Sequence, residues 1–266
     1  FGETGHGVEL GQKIFAKGKK PILELSGKDI LYIWKDANLD KATDSLTDSF
    51  LGSMQICMVP KMAVVHADVY DHVAKLMVEK LKKIEYGLPS HSGTCLSPVA
   101  KIKEYYEFLE DAVSKGAALL CGGNRVDYHG NPDKNGMYVE PTLLMLEDSE
   151  VTKKTKCVKE ENFFPLLPVI KVNGMNDEEI FQKMREYSLE NEFGLRCSAW
   201  VESPHYKRKF ITHIHNSGLL RINLRHVGFS LYLSTHGGCR KSGGPFGEMN
   251  YLWQKTSHLQ GVDIGE

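Results

Sequence analysis

Three short stretches of this 266-residue chain carry side chains whose types and spacing can do chemistry. Cys57 follows Gln55 at the end of a helical pattern and precedes Pro60 and an apolar strand pattern. A thiol at such a turn can sit partly exposed beside backbone N–H groups, the setting of a nucleophile whose adduct carries an oxyanion. On local sequence alone, a small buried core residue is the commoner reading. Glu24 lies inside the apolar run Ile22-Leu23-Glu24-Leu25, just before Ser26-Gly27. Aliphatic neighbours desolvate a carboxylate and raise its pKa toward the range of a general base; a strand-edge Glu facing solvent is the even alternative. In Glu160-Glu161-Asn162-Phe163-Phe164-Pro165 an acidic pair precedes two aromatics and a proline. That is either a solvated turn feeding a buried strand, or a carboxylate for ribose hydroxyls with an aromatic ring beside a cofactor.

These residues need a scaffold, and the hydrophobic periodicity supplies one. Residues 21–25 and 30–34 read as two short strands joined by Ser26-Gly27-Lys28-Asp29. A helix is expected over 40–54, with Leu46 and Phe50 at i,i+4 spacing, and a strand over 62–66. Val69, Val73, Leu76, Met77 and Ile84 set the apolar stripe of the next helix beside a Lys-rich face. A second long helix runs from about 98 to 115, stops at Gly116, and leads into a strand over 118–121. Residues 125–136, rich in Gly, Asn, Asp and Pro, read as the looser segment. Asn176 and Glu179 make a capping box for a helix over 177–189. Ser203-Pro204 opens another helix that ends near Ser217-Gly218, with strands over 197–201 and 219–223 around it. Strand–helix–strand alternation with short Gly-rich joints gives an α/β fold with parallel strands and right-handed crossovers.

Composition narrows the function classes. The 33 basic and 34 acidic residues leave a formal charge of −1, which argues against nucleic acid as a partner. The longest apolar stretch, 163–170, is broken by Pro165 and Pro168, so no segment spans a membrane as a helix. Six cysteines (Cys57, Cys95, Cys121, Cys157, Cys197, Cys239) show no C-x-x-C pairing, which points to a reducing, cytoplasmic setting rather than a disulfide framework or zinc site. His213 and His215 are two apart, and His226 and His236 lack ligand spacing; all read as helix-end or loop histidines, with no metal. The chain begins at Phe1 with no charged n-region or signal peptide after it.

The order of motifs is more specific than any one of them. Glu24-Leu25-Ser26-Gly27-Lys28-Asp29, Asp36-Ala37-Asn38-Leu39-Asp40, Gln55-Ile56-Cys57 and the 160–165 stretch together resemble the aldehyde dehydrogenase superfamily, as does the 33-residue interval from Glu24 to Cys57. The likeness continues through Cys121-Gly122-Gly123, Tyr138-Val139-Glu140-Pro141-Thr142, Glu192-Phe193-Gly194-Leu195, Ile222-Asn223, and Gly237-Gly238 to Lys241-Ser242-Gly243. It implies an aldehyde dehydrogenase-like catalytic domain over 28–235, with its parallel sheet flanked by helices. Residues 1–27 would be a remnant of a Rossmann-like NAD(P)-binding domain, and 236–266 a return segment and oligomerisation tail. By the same resemblance Cys57 is the nucleophile that forms a thiohemiacetal and then a thioester, and Glu24 activates the hydrolytic water. Its backbone N–H would supply one oxyanion donor. Relatives that pass the acyl group to coenzyme A typically lack this Glu, so its presence favours a carboxylic acid product. NAD or NADP is the implied cofactor: Glu161 and Phe163 match residues holding the nicotinamide-side ribose, and Leu25 lines the nicotinamide. Gly7, within Gly5-His6-Gly7-Val8-Glu9-Leu10-Gly11, matches a Gly-rich loop opening the helix that receives the pyrophosphate.

The resemblance also implies a small-molecule aldehyde as substrate and a homodimer or homotetramer, the segment after about Trp253 being the tail that pairs across subunits. Met58 and residues around 224–232 match variable positions of the substrate tunnel. Family chains are roughly twice as long, so an N-terminal half with most of the nucleotide-binding domain is expected beyond these residues. Without it, the surface around residues 21–25 should expose apolar side chains. Ser26, Met54 and Phe164 stand where the family usually has Gly. Met54 would narrow the site and Phe164 would place a bulky ring beside the cofactor's ribose. These departures support an alternative: a catalytically impaired relative acting as a structural or binding protein.

Overall fold

A computed structural model of the chain describes residues 1–88, 90–230, 233, 237–243, 256–258 and 260–265. Helix α1 (Thr4–Ala16) comes first, then β1 (Asp29–Ile33), α2 (Leu39–Thr47), β2 (Pro60–His66), α3 (Ala67–Leu81) and α4 (Ile102–Ser114). Strands β3 (Ala118–Cys121), β4 (Arg125–Val126), β5 (Tyr138–Val139) and β6 (Thr142–Glu147) follow. One-turn helices α5 (Glu150–Lys153) and α6 (Lys156–Lys159) precede β7 (Leu166–Val172) and α7 (Asp177–Glu190). The remaining elements are β8 (Phe193–Gly194), β9 (Arg196–Trp200), α8 (Pro204–His213), β10 (Leu219–Ile222) and β11 (Cys239–Arg240).

Seven strands form one sheet in the order β10-β9-β1-β2-β7-β6-β3. All neighbours are parallel except β3, which runs antiparallel to β6 at the edge. The parallel expectation therefore holds for six strands and is corrected for residues 118–121. A Gly116 at φ +95° and Gly122-Gly123 at φ +81° and +100° bracket that strand, giving the tight reversals that an antiparallel return needs.

The sheet is covered on both faces, and the period of two along each strand shows it. Ile30, Tyr32 and Trp34 pack into one buried cluster with Phe164, Phe181 and Phe210, while Leu31 and Ile33 face a second with Phe50, Val73 and Met77. Helix starts follow local chemistry. Asn38 Oδ1 accepts from Lys41 N, Asn176 Oδ1 from Glu179 N, and Ser203 Oγ from Tyr206 N with Pro204 in the first turn. Glu179 Oε2 reaches back to Met175 N rather than to the cap residue's own N–H.

Four expectations change. Residues 21–25 are not a strand: the segment is held by Gly2 N donating to Glu24 O and Leu25 N donating to Ser242 O. Pro21, Leu23 and Leu25 are buried there, and Ile22 alone is exposed. The helix expected to 54 ends as α-helix at Thr47 and passes through a 3₁₀ turn, because Leu51 is extended and Gly52, Ser53 and Met54 take φ +57°, +55° and +60°. Residues 5–11 are not a loop, since α1 already begins at Thr4 and holds all of them. The helix opened by Pro204 ends at His213, short of Ser217-Gly218. The looser segment 125–136 carries the β4–β5 pairing and an Asp127 side chain that accepts from His129 N and Asn131 N. Most of the expected tail, including Trp253, lies outside the described residues, as do His236 and Tyr232. Among the described residues no helix is long and apolar enough to cross a membrane.

Candidate active site

Ligands of open α/β sheets usually sit beyond the carboxyl ends of the strands. Here the chemistry-bearing segments gather at the opposite end. Glu24 precedes β1, Cys57 precedes β2, and Glu161 and Phe163 precede β7, three parallel neighbours whose amino ends lie together. Parallel pairing of β1, β2 and β7 thus converts three distant sequence positions into one place.

The Cys57 thiol donates to Glu24 Oε1 at 3.3 Å. Glu24 is 3% exposed, while Cys57 is half-buried and reachable. Burial first, and then the charge and hydrogen bond of Glu24 with lesser pushes from Asp29 and Glu161, hold the Cys57 thiol up at about 12. The other Glu24 oxygen accepts from Gly237 N at 3.3 Å. Both side chains face a cavity of about 530 Å³ that Leu25, Gln55, Glu161 and Phe163 also line. That volume lies within the range of small-molecule and cofactor sites. Lys101, Phe1, Gly2 and Glu3 complete part of its wall.

Glu161 is fixed by a backbone donor: Gly27 N reaches its Oε1 at 2.7 Å. Gly27 does more than join two segments. A Cβ there would meet the Cys57 carbonyl oxygen at 2.6 Å, so only glycine lets the Glu24 segment lie against the nucleophile turn. Gly7 is placed differently from Glu161, Phe163 and Leu25. It is buried in the first turns of α1, and a Cβ there would fall 2.1 Å from Leu25 Cδ2. Its absence of a side chain lets the helix press on Leu25.

Of the three residues that stand for glycine, Ser26 lines the cavity, whereas Met54 and Phe164 do not crowd it. Met54 is fully buried in the core, its Sδ accepting from Asn162 Nδ2 at 3.0 Å. Phe164 is also fully buried and packs edge-on against Phe108 and Tyr105, at 5.1 and 5.7 Å between centroids. Phe163 faces the cavity and Phe164 the core. Both expected obstructions are therefore corrected.

Sequence reasoning missed the polar floor behind this site. Lys28, Lys61 and Asn162 are each fully buried. A lysine inside Val59-Pro60-Lys61-Met62, an otherwise apolar strand entry, was the available signal. His226 was also read too lightly. It is fully buried, with Nδ1 2.8 Å from Ser198 Oγ, Nε2 3.2 Å from Asp29 Oδ2, and its N–H donating to Ser45 Oγ. This network pins residues 224–228 across β1, β9 and α2, the stretch expected beside the substrate tunnel.

The chain is similar to proteins of one family. The profile of the aldehyde dehydrogenase family matches residues 1–261. Alpha-ketoglutaric semialdehyde dehydrogenase of Bacillus subtilis is 27% identical over 91% of this chain and 47% of its own length. 3,6-anhydro-alpha-L-galactose dehydrogenase of a Vibrio species is 30% identical over 89% of this chain and 48% of its own. A solved 3,6-anhydro-L-galactose dehydrogenase in complex with NAP superposes with a TM-score of 0.77 at 28% identity, covering 92% of this chain and 50% of that one. The chain spans about half the length of the curated relatives it matches.

Proposed function

Because this chain belongs to the aldehyde dehydrogenase family, we propose that the intact protein oxidises an aldehyde to a carboxylic acid with NAD or NADP, and that Cys57 and Glu24 carry the covalent chemistry. The observation that bears most of this reading is the 3.3 Å contact between the Cys57 thiol and Glu24, inside the cavity that Glu161 and Phe163 share.

The residues present fit the cofactor. A half-buried carboxylate already oriented by Gly27 N, an aromatic ring, and the buried Leu25 side chain converge on one cavity, which suits ribose hydroxyls and a flat, partly apolar ring. Glu161 would accept from the ribose, Phe163 and Leu25 would pack on the ring end, and Gly7 would act through Leu25. When bound, the oxidised cofactor supplies the hydride acceptor that turns the first adduct into a thioester.

Cys57 attacks the aldehyde carbon: a C–S bond forms, the carbonyl π bond opens, and the thiol proton leaves to Glu24. A thiol held at about 12 is protonated at neutral pH, and Glu24 within hydrogen-bond reach takes its proton as the C–S bond forms. Because the Glu24 charge also raises the thiol, a neutral replacement leaves a more acidic thiol that still attacks. The Cys57 N–H supplies one donor to the oxyanion. In the second half Glu24, having passed the thiol proton to solvent, takes a proton from water, whose oxygen adds to the thioester carbonyl. That proton then returns to the sulfur released as the C–S bond breaks, and the carboxylic acid departs. Six unbridged cysteines suit a reducing, cytoplasmic compartment, and a homodimer or homotetramer is part of the same proposal for the intact protein.

The test is turnover of the intact protein with a panel of aldehydes and either cofactor. Reduced cofactor is expected from the wild type, and a loss on the order of 10³-fold or more from Cys57→Ala. No reduced cofactor with any aldehyde, or equal turnover in Cys57→Ala, overturns the reading.

A further inference from the structure

We propose that Lys61 is a positioning residue: its buried ammonium ties the turn that delivers Cys57 to the loop that carries Glu161 and Phe163, setting the nucleophile and the cofactor-side groups as one unit. This rests on the roles given above to Cys57, Glu161 and Phe163.

Lys61 Nζ donates to Met54 O at 2.6 Å and to Asn162 O at 3.0 Å, and lies 4.7 Å from the centroid of the Phe163 ring. Met54 is three residues before Cys57, and Asn162 stands between Glu161 and Phe163. One charged group therefore holds the backbones of both segments and touches the ring of one.

The held turn is one the chain resists. Gly52, Ser53 and Met54 are all left-handed, a conformation that strains the two with side chains. Ser53 and Ser97 exchange hydrogen bonds, with Ser53 Oγ donating to Ser97 O at 2.5 Å and accepting from Ser97 N at 2.9 Å. Gln55 is anchored by donating to Pro98 O and accepting from Ala100 N. Among the described residues, only Lys61 grips the carbonyl of Met54 and the facing loop with the same atom.

A second ammonium supports the first. Lys28 Nζ donates to Asn162 Oδ1 at 2.6 Å and to Lys61 O at 3.2 Å. Two adjacent buried ammonium groups are costly, and a methionine of similar length would fill the space with no charge to desolvate. Their justification lies in what they hold. Burial lowers Lys61 to about 8, while Glu161, Asp29 and Cys57 pull it back up, so its charge is felt at the site.

The experiment uses the intact protein with Lys61→Met. Four quantities are read per folded molecule: thermal midpoint, burst-titrated active sites, cofactor KM, and the rate of Cys57 alkylation by iodoacetamide without cofactor, followed on the Cys57 peptide by mass spectrometry. The expected result is a cofactor KM raised at least fivefold together with Cys57 alkylation slowed at least threefold at one fixed pH. A folded variant with only its midpoint lowered, both other values being wild-type, overturns the proposal and leaves a packing role. If Lys61→Met does not fold, Lys61→Gln, which keeps one donor, is read the same way and should fall between the two. If neither folds, Lys61 is a stability residue and the positioning claim is withdrawn. Wild-type turnover surviving Cys57→Ala would instead overturn the underlying roles, while the alkylation rates still report on the Lys61 link.

Discussion

At the scale of single residues, the pairing of Cys57 with Glu24 makes opposite predictions for reactivity and turnover. The Glu24 charge raises the Cys57 thiol, so Glu24→Gln should lower the pH midpoint of Cys57 alkylation. The same change removes the base, so steady-state aldehyde oxidation should fall by about 10²–10⁴-fold, leaving a single burst of reduced cofactor. Alkylation profiles and stopped-flow traces on one variant check both signs. A second residue prediction concerns Gly27. Its missing Cβ would sit 2.6 Å from the Cys57 carbonyl, so Gly27→Ala must push the nucleophile turn aside and should cost about a hundredfold in kcat/KM. Residue type and order single out Cys57, Glu24, Glu161 and Phe163, and the four line one cavity. Gly27 was legible only as a joint, because the atom that makes it necessary belongs to a residue thirty positions away.

At the scale of elements, the turn from Gly52 to Met54 is where local reading failed. Leu46 and Phe50 do carry a helical apolar spacing, and both are buried. The chain nevertheless leaves the helix after Thr47, because Ser97, Pro98 and Lys61 offer it partners that no local pattern reveals. Met54→Gly separates strain from packing. Relief of one left-handed side chain is worth about 1–2 kcal/mol, whereas deleting a buried methionine costs about 2–5 kcal/mol. Packing wins, and chemical denaturation should show a net loss of about 1–3 kcal/mol. Residues 21–25 teach a related lesson. Their apolar run suits a strand, yet they pair with no strand among the described residues and are held by Gly2 and Ser242, contacts of long sequence separation.

At the scale of the molecule, the parallel order β1-β2-β7 is what makes one site from three segments, and alternation with helices made that sheet legible. The antiparallel edge strand was not, since strand direction leaves no mark in periodicity. The buried lysines give the whole fold a pH signature. Lys28 is lowered from its usual value to about 7 by burial, so between about pH 7 and 10 the unfolded chain binds a proton that the folded one does not. Its contribution to stability therefore rises with pH across that window. The midpoint of wild type minus that of Lys28→Met should increase from pH 6.5 to 9 in a series of thermal melts; a flat difference would contradict the lowering of Lys28 by burial.

The central claim is that Cys57 becomes acylated and Glu24 releases the product. It is tested most directly by mass spectrometry of intact Glu24→Gln protein incubated with aldehyde and oxidised cofactor. The account predicts an acyl adduct mapped to Cys57 that fails to form without cofactor. Absence of any adduct while the wild type turns over, or an adduct on another residue, would contradict it.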